Sequence, residues 1–238
     1  VSGPYASANA QRITAFSLVV PMYGLATADI ALASGTPLVS PVTLIIGNLS
    51  LRMAIARDPE DALMQRSFAG TTTARLVAGS GTWPTKVRLN PYRAPTGAQV
   101  RLSTVLGDLA AATSSDAVTR ERVTLAAGLD RDLGSLFVPE TGAPAARILA
   151  LLAGKLWYVD AAGVTQIVSA RPTVAIKTQA NVQQIDGAKG WVQVATEDVA
   201  SWATPGNTYT SPTVQPLTIR ASRIKAENDG LLRVEVLT

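Results

Sequence analysis

Residues 144–168 read Pro144-Ala145-Ala146-Arg147-Ile148-Leu149-Ala150-Leu151-Leu152-Ala153-Gly154-Lys155-Leu156-Trp157-Tyr158-Val159-Asp160-Ala161-Ala162-Gly163-Val164-Thr165-Gln166-Ile167-Val168. Ile148, Leu149 and Leu152 share one face of a helix, and Pro144 suits its first position. Gly154 suits the left-handed cap that ends a helix. Two β-prone runs follow, Leu156–Asp160 and Val164–Val168, joined by a short Asp/Gly loop. That is the pattern of a hairpin. A helix feeding a hairpin predicts an α+β protein.

The flanks are richer in strand signals. Ile13–Val20, Pro41–Gly47, Leu49–Ala56 and Thr71–Val77 are short apolar, β-branched runs bounded by Gly, Pro and Asn. Gly79-Ser80-Gly81 reads as a tight turn, and Trp83–Tyr92 as a further strand. Ala62–Phe68 fits a strand or a short helix. Leu102, Val105, Leu106, Leu109 and Ala110 then fall on one helical face, with Ser103 as the expected N-cap. Arg122–Ala127 reads as a strand. After Pro172 come further strands at Val174–Lys177, Trp191–Ala195, Thr213–Arg220 and Leu231–Leu237. The expected fold is α+β and β-dominated, built from small β-barrel-like modules with two short helices and a helix–hairpin insert. The expected organisation is an N-terminal arm (1–12), an N-terminal β domain (13–90), an α+β domain (91–172) and a C-terminal β domain (173–238).

Arg12, the apolar run Ile13–Leu25 and Ala26-Thr27-Ala28 imitate a signal peptide. Pro21, Tyr23 and Gly24 interrupt that run, so a buried strand is the better reading. No stretch reaches about 18 uninterrupted apolar residues, so no membrane-spanning helix is expected.

The 238 residues include no His and no Cys. This excludes disulfides, thiolate catalysis and histidine general-base chemistry. The net charge is +4 and the Lys and Arg residues are scattered without a run of three, so no basic stripe for sequence-specific nucleic-acid binding is evident. Paired carboxylates remain open at Asp58/Glu60/Asp61, at Asp130/Asp132 and at Glu197/Asp198. Each cluster also fits a turn or a solvated edge. Asp130-Arg131-Asp132 lacks the oxygen count and spacing of a calcium loop. Ser222 and Lys225 have the S-x-x-K spacing of Ser–Lys enzymes, but on a strand they fall on opposite faces. Gly79-Ser80-Gly81 matches no phosphate-binding glycine fingerprint. Trp83, Trp157, Trp191 and Trp202 fit core or interface packing, or else a glycan platform. No catalytic, cofactor-binding or metal residue is expected, and no cofactor.

Two stretches carry a resemblance. One is Trp83-Pro84-Thr85-Lys86-Val87, Asn90-Pro91-Tyr92-Arg93 and Gly97–Ala110. The other runs from Ala146-Arg147-Ile148-Leu149 through Leu156–Thr165 to Arg171-Pro172. Together they cover about 90 residues and resemble the baseplate or tail-tip hub proteins of Mu-like long-tailed bacteriophages. The resemblance implies a structural, non-enzymatic virion protein. It implies a ring of copies, a trimer, closing the distal end of the tail tube. The implied partners are the distal tail protein, the tape-measure protein and the spike or fibre. Low surface charge fits a chain that buries large faces against neighbours. The alternatives are a glycan- or receptor-binding tail module and a carboxylate-based hydrolase.

Overall fold

Strands dominate because β-branched and apolar residues alternate with small polar ones in short runs. The structure, a computed structural model, describes residues 6–57, 62–154, 156–178, 180–186, 188–211, 214–226 and 232–238. The acids Asp58, Glu60 and Asp61 lie outside the described residues. Seven strands open the chain: β1 (Ala6–Ala8), β2 (Gln11–Pro21), β3 (Thr27–Leu32), β4 (Val42–Ile46), β5 (Leu49–Ile55), β6 (Gln65–Phe68) and β7 (Thr71–Ala78). Hydrogen bonding in the order β1-β4-β5-β7-β3-β2, with β2 returning to β1, closes a six-stranded barrel.

The barrel interior follows the two-residue period. Ala28, Ile30 and Leu32 of β3, Val42, Leu44 and Ile46 of β4, and Ala74 and Leu76 of β7 all turn inward. In β2 the inward residues are Ile13, Phe16 and Leu18, one step out of strict alternation. A bulge between Ile13 and Ala15 absorbs the extra residue and keeps both ends of the strand facing the core. β1 closes the ring by pairing with β2 on one side and β4 on the other, with Ala6 and Ala8 buried. Residues 6–12, expected in an N-terminal arm, are therefore barrel. Alanine has low strand propensity, so nothing in the side chains announces β1. The turn that follows it holds Asn9 and Ala10 at φ 47° and 63°. Such a turn prefers Asn-Gly. Ala10→Gly is expected to stabilise the fold by about 0.5–1 kcal/mol, read as a rise in thermal midpoint. An unchanged or lower midpoint would contradict strain at Ala10.

The middle of the chain adds β8 (Tyr92–Arg93), α1 (Leu102–Ala112), β9 (Arg122–Leu125), β10 (Leu136–Phe137), α2 (Ala145–Ala153), β11 (Trp157–Val159) and β12 (Val164–Ile167). α2 and the β11–β12 hairpin stand where the sequence puts them, and Gly154 caps α2 at φ 65°. β9 joins the hairpin by pairing parallel to β12. The strand expected over Trp83–Tyr92 is instead an irregular extended segment that becomes regular only at β8. It exchanges scattered backbone bonds with residues 142–146, such as Val87 N–H to Ala143 O at 3.1 Å. Pro84 and Pro91, which lack an N–H, interrupt any continuous ladder. The buried faces of α1 and α2 form a second core with Trp83, Val87, Trp157, Val159 and Ile167.

The chain ends with β13 (Ala175–Ile176), β14 (Asn181–Asp186), β15 (Trp191–Ala195), α3 (Val199–Ala203), β16 (Thr208–Ser211), β17 (Val214–Thr218), β18 (Ala221–Ala226) and β19 (Leu232–Leu237). α3 is a third helix, beyond the two expected. β2 is longer than its barrel partners, and its second half pairs with β18. From there β19, β15 and β14 extend the sheet, making eleven strands in all. The segments 13–90 and 173–238 thus share one sheet. They also share one core, in which Phe16, Leu18, Leu44 and Leu76 pack with Val194, Trp202, Ile224 and Val236. The fold is α+β and β-dominated. No helix among the described residues is long and apolar enough to cross a membrane.

Candidate functional site

Asp130 and Asp132 come together, but around an arginine. Arg101 places Nη1 2.8 Å from Asp132 Oδ1 and Nη2 3.0 Å from Asp130 Oδ2. Asp130 also accepts from the Ser103 backbone N–H and the Ser103 hydroxyl, each at 2.9 Å. Ser103 is therefore not the cap of α1; Arg101 stands at the N-cap position, and Asp130 satisfies the helix from a loop. The Ser103 N–H, ahead of the arginine, holds the Asp130 carboxyl below the usual range. A carboxylate stabilised in its charged form is a poor proton donor.

Glu197 is exposed, while Asp198 is the N-cap of α3. Asp198 accepts from the Ser201 backbone N–H (3.2 Å), Asn48 Nδ2 (2.9 Å) and the Thr178 hydroxyl (2.8 Å). Partial burial pushes its pKa up, but these hydrogen bonds outweigh it and bring the group to about 2. The sign follows from linkage: a depressed carboxylate contributes stability above its unfolded value, and loses it as pH falls. Stability is expected to drop as pH falls from 3.8 toward about 2, and Asp198→Asn should flatten that part of the profile. An unchanged acid limb in denaturant titrations of the variant would contradict this assignment.

Ser222 is fully buried on β18, its hydroxyl bonded to Ala203 O at 2.6 Å, while Lys225 lies on the other face. The S-x-x-K spacing brings the two no closer. Trp83, Trp157 and Trp202 are buried. Trp191 is half-buried, with the Arg223 guanidinium 5.2 Å from its ring centre.

Sequence reading passes over Glu121, which is only 2% exposed. Its carboxylate accepts from the backbone N–H groups of Ser80 (3.1 Å) and Thr82 (2.9 Å), and from the Thr82 hydroxyl (3.3 Å). Its own N–H reaches Thr113 at the end of α1. One buried acid thus ties the turn after β7, the end of α1 and the start of β9. Gly79 makes room for it: a Cβ there would lie 2.8 Å from Glu121 Oε2, and φ is +88°. Burial raises the Glu121 pKa against the hydrogen bonds that favour the charged form. Further ties across the junction are Gly24 N–H to Trp157 O (2.7 Å) and Arg52 N–H to Ala161 O (2.8 Å). Arg171 adds bonds to Pro21 O and Met22 O and lies over the Tyr158 ring.

The outward faces are the remaining candidates. A broad groove of about 1040 Å³ crosses the outer barrel wall over β18, β2, β3, β7 and β6, floored by small residues such as Ala15, Ser17 and Ala31. Both edges of the antiparallel path β6-β7-β3-β2-β18-β19-β15-β14 are open among the described residues. Phe68 on β6 is 86% exposed, and Val182 and Ile185 on β14 are also exposed.

No protein-family model matches the chain, and no curated protein matches it in sequence. Its shape does match solved structures. A tail protein from Neisseria meningitidis MC58 aligns at TM-score 0.63 and 11% identity, over 99% of this chain and 96% of that one. The 43 kDa tail protein of prophage MuSo2 from Shewanella oneidensis aligns at 0.58 and 11%, over 99% and 98%. The E. coli c3393 protein is a component of the type VI secretion system with structural similarity to the T4 bacteriophage tail proteins gp27 and gp5. It aligns at 0.57 and 9%, over 97% of this chain and 73% of that one. At such identities the likeness defines the fold: this chain has the fold of phage tail proteins. The resemblance legible in the middle of the sequence extends, as shape, over nearly the whole chain.

Proposed function

We propose that this chain is a structural subunit of a phage tail, acting as the hub at its distal end. Copies form a ring, a trimer, that closes the tail tube and joins it to the tip or spike. The observation that carries this reading is the fold match to tail proteins over 99% of the chain. In this reading the barrel with its sheet extension (6–78 and 173–238) makes ring contacts, and the middle segment (83–172), built on the second core, meets the next tail component. The partners are the distal tail protein, the tape-measure protein and the spike or fibre. The chain takes no cofactor, does no catalysis, reads no nucleic-acid sequence, does not insert stably in a membrane and resides in the virion.

A glycan-binding module is the alternative, but it needs exposed aromatic faces. Trp202 is 1% exposed and Arg223 stands over Trp191, so neither supports it. Native mass spectrometry of the full chain tests the ring. Three times 24.8 kDa is expected. A monomer at every concentration, including with the distal tail protein added, would overturn the ring.

A further inference from the structure

Eight strands, β6-β7-β3-β2-β18-β19-β15-β14, form a continuous path in which every neighbouring pair is antiparallel. An even number of alternating strands leaves its two edges pointing in opposite directions. Copies related by rotation about an axis along the strands would therefore set β14 of one beside β6 of the next in antiparallel order. Unpaired backbone groups along an open edge are a template for such pairing.

The edges also match chemically. β14, Asn181-Val182-Gln183-Gln184-Ile185-Asp186, carries one acid, which already meets Lys189 Nζ at 3.3 Å in an exposed pair that a second cation can share; β6, Gln65-Arg66-Ser67-Phe68, carries one base and no acid. On β14, Ile185 stands opposite Val192 and Val182 opposite Val194. Both partners on β15 belong to the barrel-side core, yet Ile185 is 69% and Val182 50% exposed. The core-facing surface of the sheet thus runs past the point where this chain covers it. On β6, Phe68 is almost fully exposed beside its turn.

We propose that the contact between copies is the head-to-tail pairing of β14 with β6 of the next copy, in the register that sets Asp186 opposite Arg66. Ser67 then faces Ile185 and Phe68 faces Gln184. A second copy is the occupant because one chain presents both complementary edges, and a heterologous contact of this kind makes a ring when the rotation between copies closes. The proposal rests on the ring reading above and names its contact.

The absence of cysteine makes the test clean. Ser67→Cys and Ile185→Cys chains are prepared singly, mixed, and oxidised with copper phenanthroline. The mixture is expected to give disulfide-linked dimers, while each single variant alone gives none. The double variant is expected to give linked species up to the closed ring. Linkage within Ile185→Cys alone would show β14 meeting its own copy, and would overturn the proposal. So would an intact ring by native mass spectrometry with no mixed linkage, although the ring reading would then stand. A monomer by mass with no linkage would overturn both. As a second arm, Ile185→Lys should reduce the ring population at least tenfold without shifting the monomer's thermal midpoint. An unchanged ring population would count against the contact.

Discussion

Trp83→Ala is expected to lower stability by about 3–5 kcal/mol, the cost of emptying a large aromatic site in a packed core. The side chain is fully buried, with its ring 6.5 Å from that of Trp157. Its Nε1–H donates to the Thr165 hydroxyl at 3.0 Å. The deletion therefore opens a cavity against α1, α2 and the β11–β12 hairpin, and leaves the buried hydroxyl of Thr165 without its donor. Trp83→Phe should cost less, since it keeps much of the ring volume and loses the indole hydrogen bond. Denaturant unfolding followed by far-UV circular dichroism checks both. A Trp83→Ala midpoint within error of the parent would contradict the placement of this residue at the centre of the second core.

The second large effect is expected at Glu121. Alanine there strands the N–H groups of Ser80 and Thr82 and the Thr82 hydroxyl in a buried site, at a cost of about 3 kcal/mol or more. Glutamine keeps one acceptor but turns an amide N–H₂ toward a backbone donor, and should cost roughly 1–3 kcal/mol. The pH dependence runs opposite to that of Asp198. Burial raises the Glu121 pKa, so the folded state takes up its proton before the unfolded chain does. Its charged-form penalty is fully present above the raised value, shrinks as pH falls through it, and is gone below the ordinary 4.5. The parent chain should gain stability over that interval relative to Glu121→Gln. A constant difference between the two at all pH values would contradict a buried, titrating carboxylate.

These two residues also mark where the sequence is legible and where it is not. Trp83 stands out as a large aromatic beside a turn. The strands around Leu44 and Leu76 follow from alternation, and α2 follows from its apolar stripe and Gly154. Those signals are local. Glu121 gives no such signal, because its partners are backbone N–H groups some forty positions earlier, and a carboxylate between two arginines reads as solvated surface. The same holds for Asp130, which caps α1 from a loop after the helix, and for β1, whose alanines matter through smallness. α3 is too short for a periodic stripe; its only local marks are Asp198 ahead of Val199 and Trp202. Of the acids picked out by spacing, Asp130, Asp132 and Asp198 hold loops and helix starts together. The barrel closure and the two open edges are properties of strand order, which no single run of residues encodes.

If the function lies in the outward faces, location in the particle is the decisive observable. Antibodies raised against this chain, applied with gold label to purified tails under the electron microscope, test it most directly. Label confined to the distal end of the tail is the predicted result. Label along the whole tube, or tails that carry none while the protein stays in the soluble fraction of the lysate, would contradict a hub.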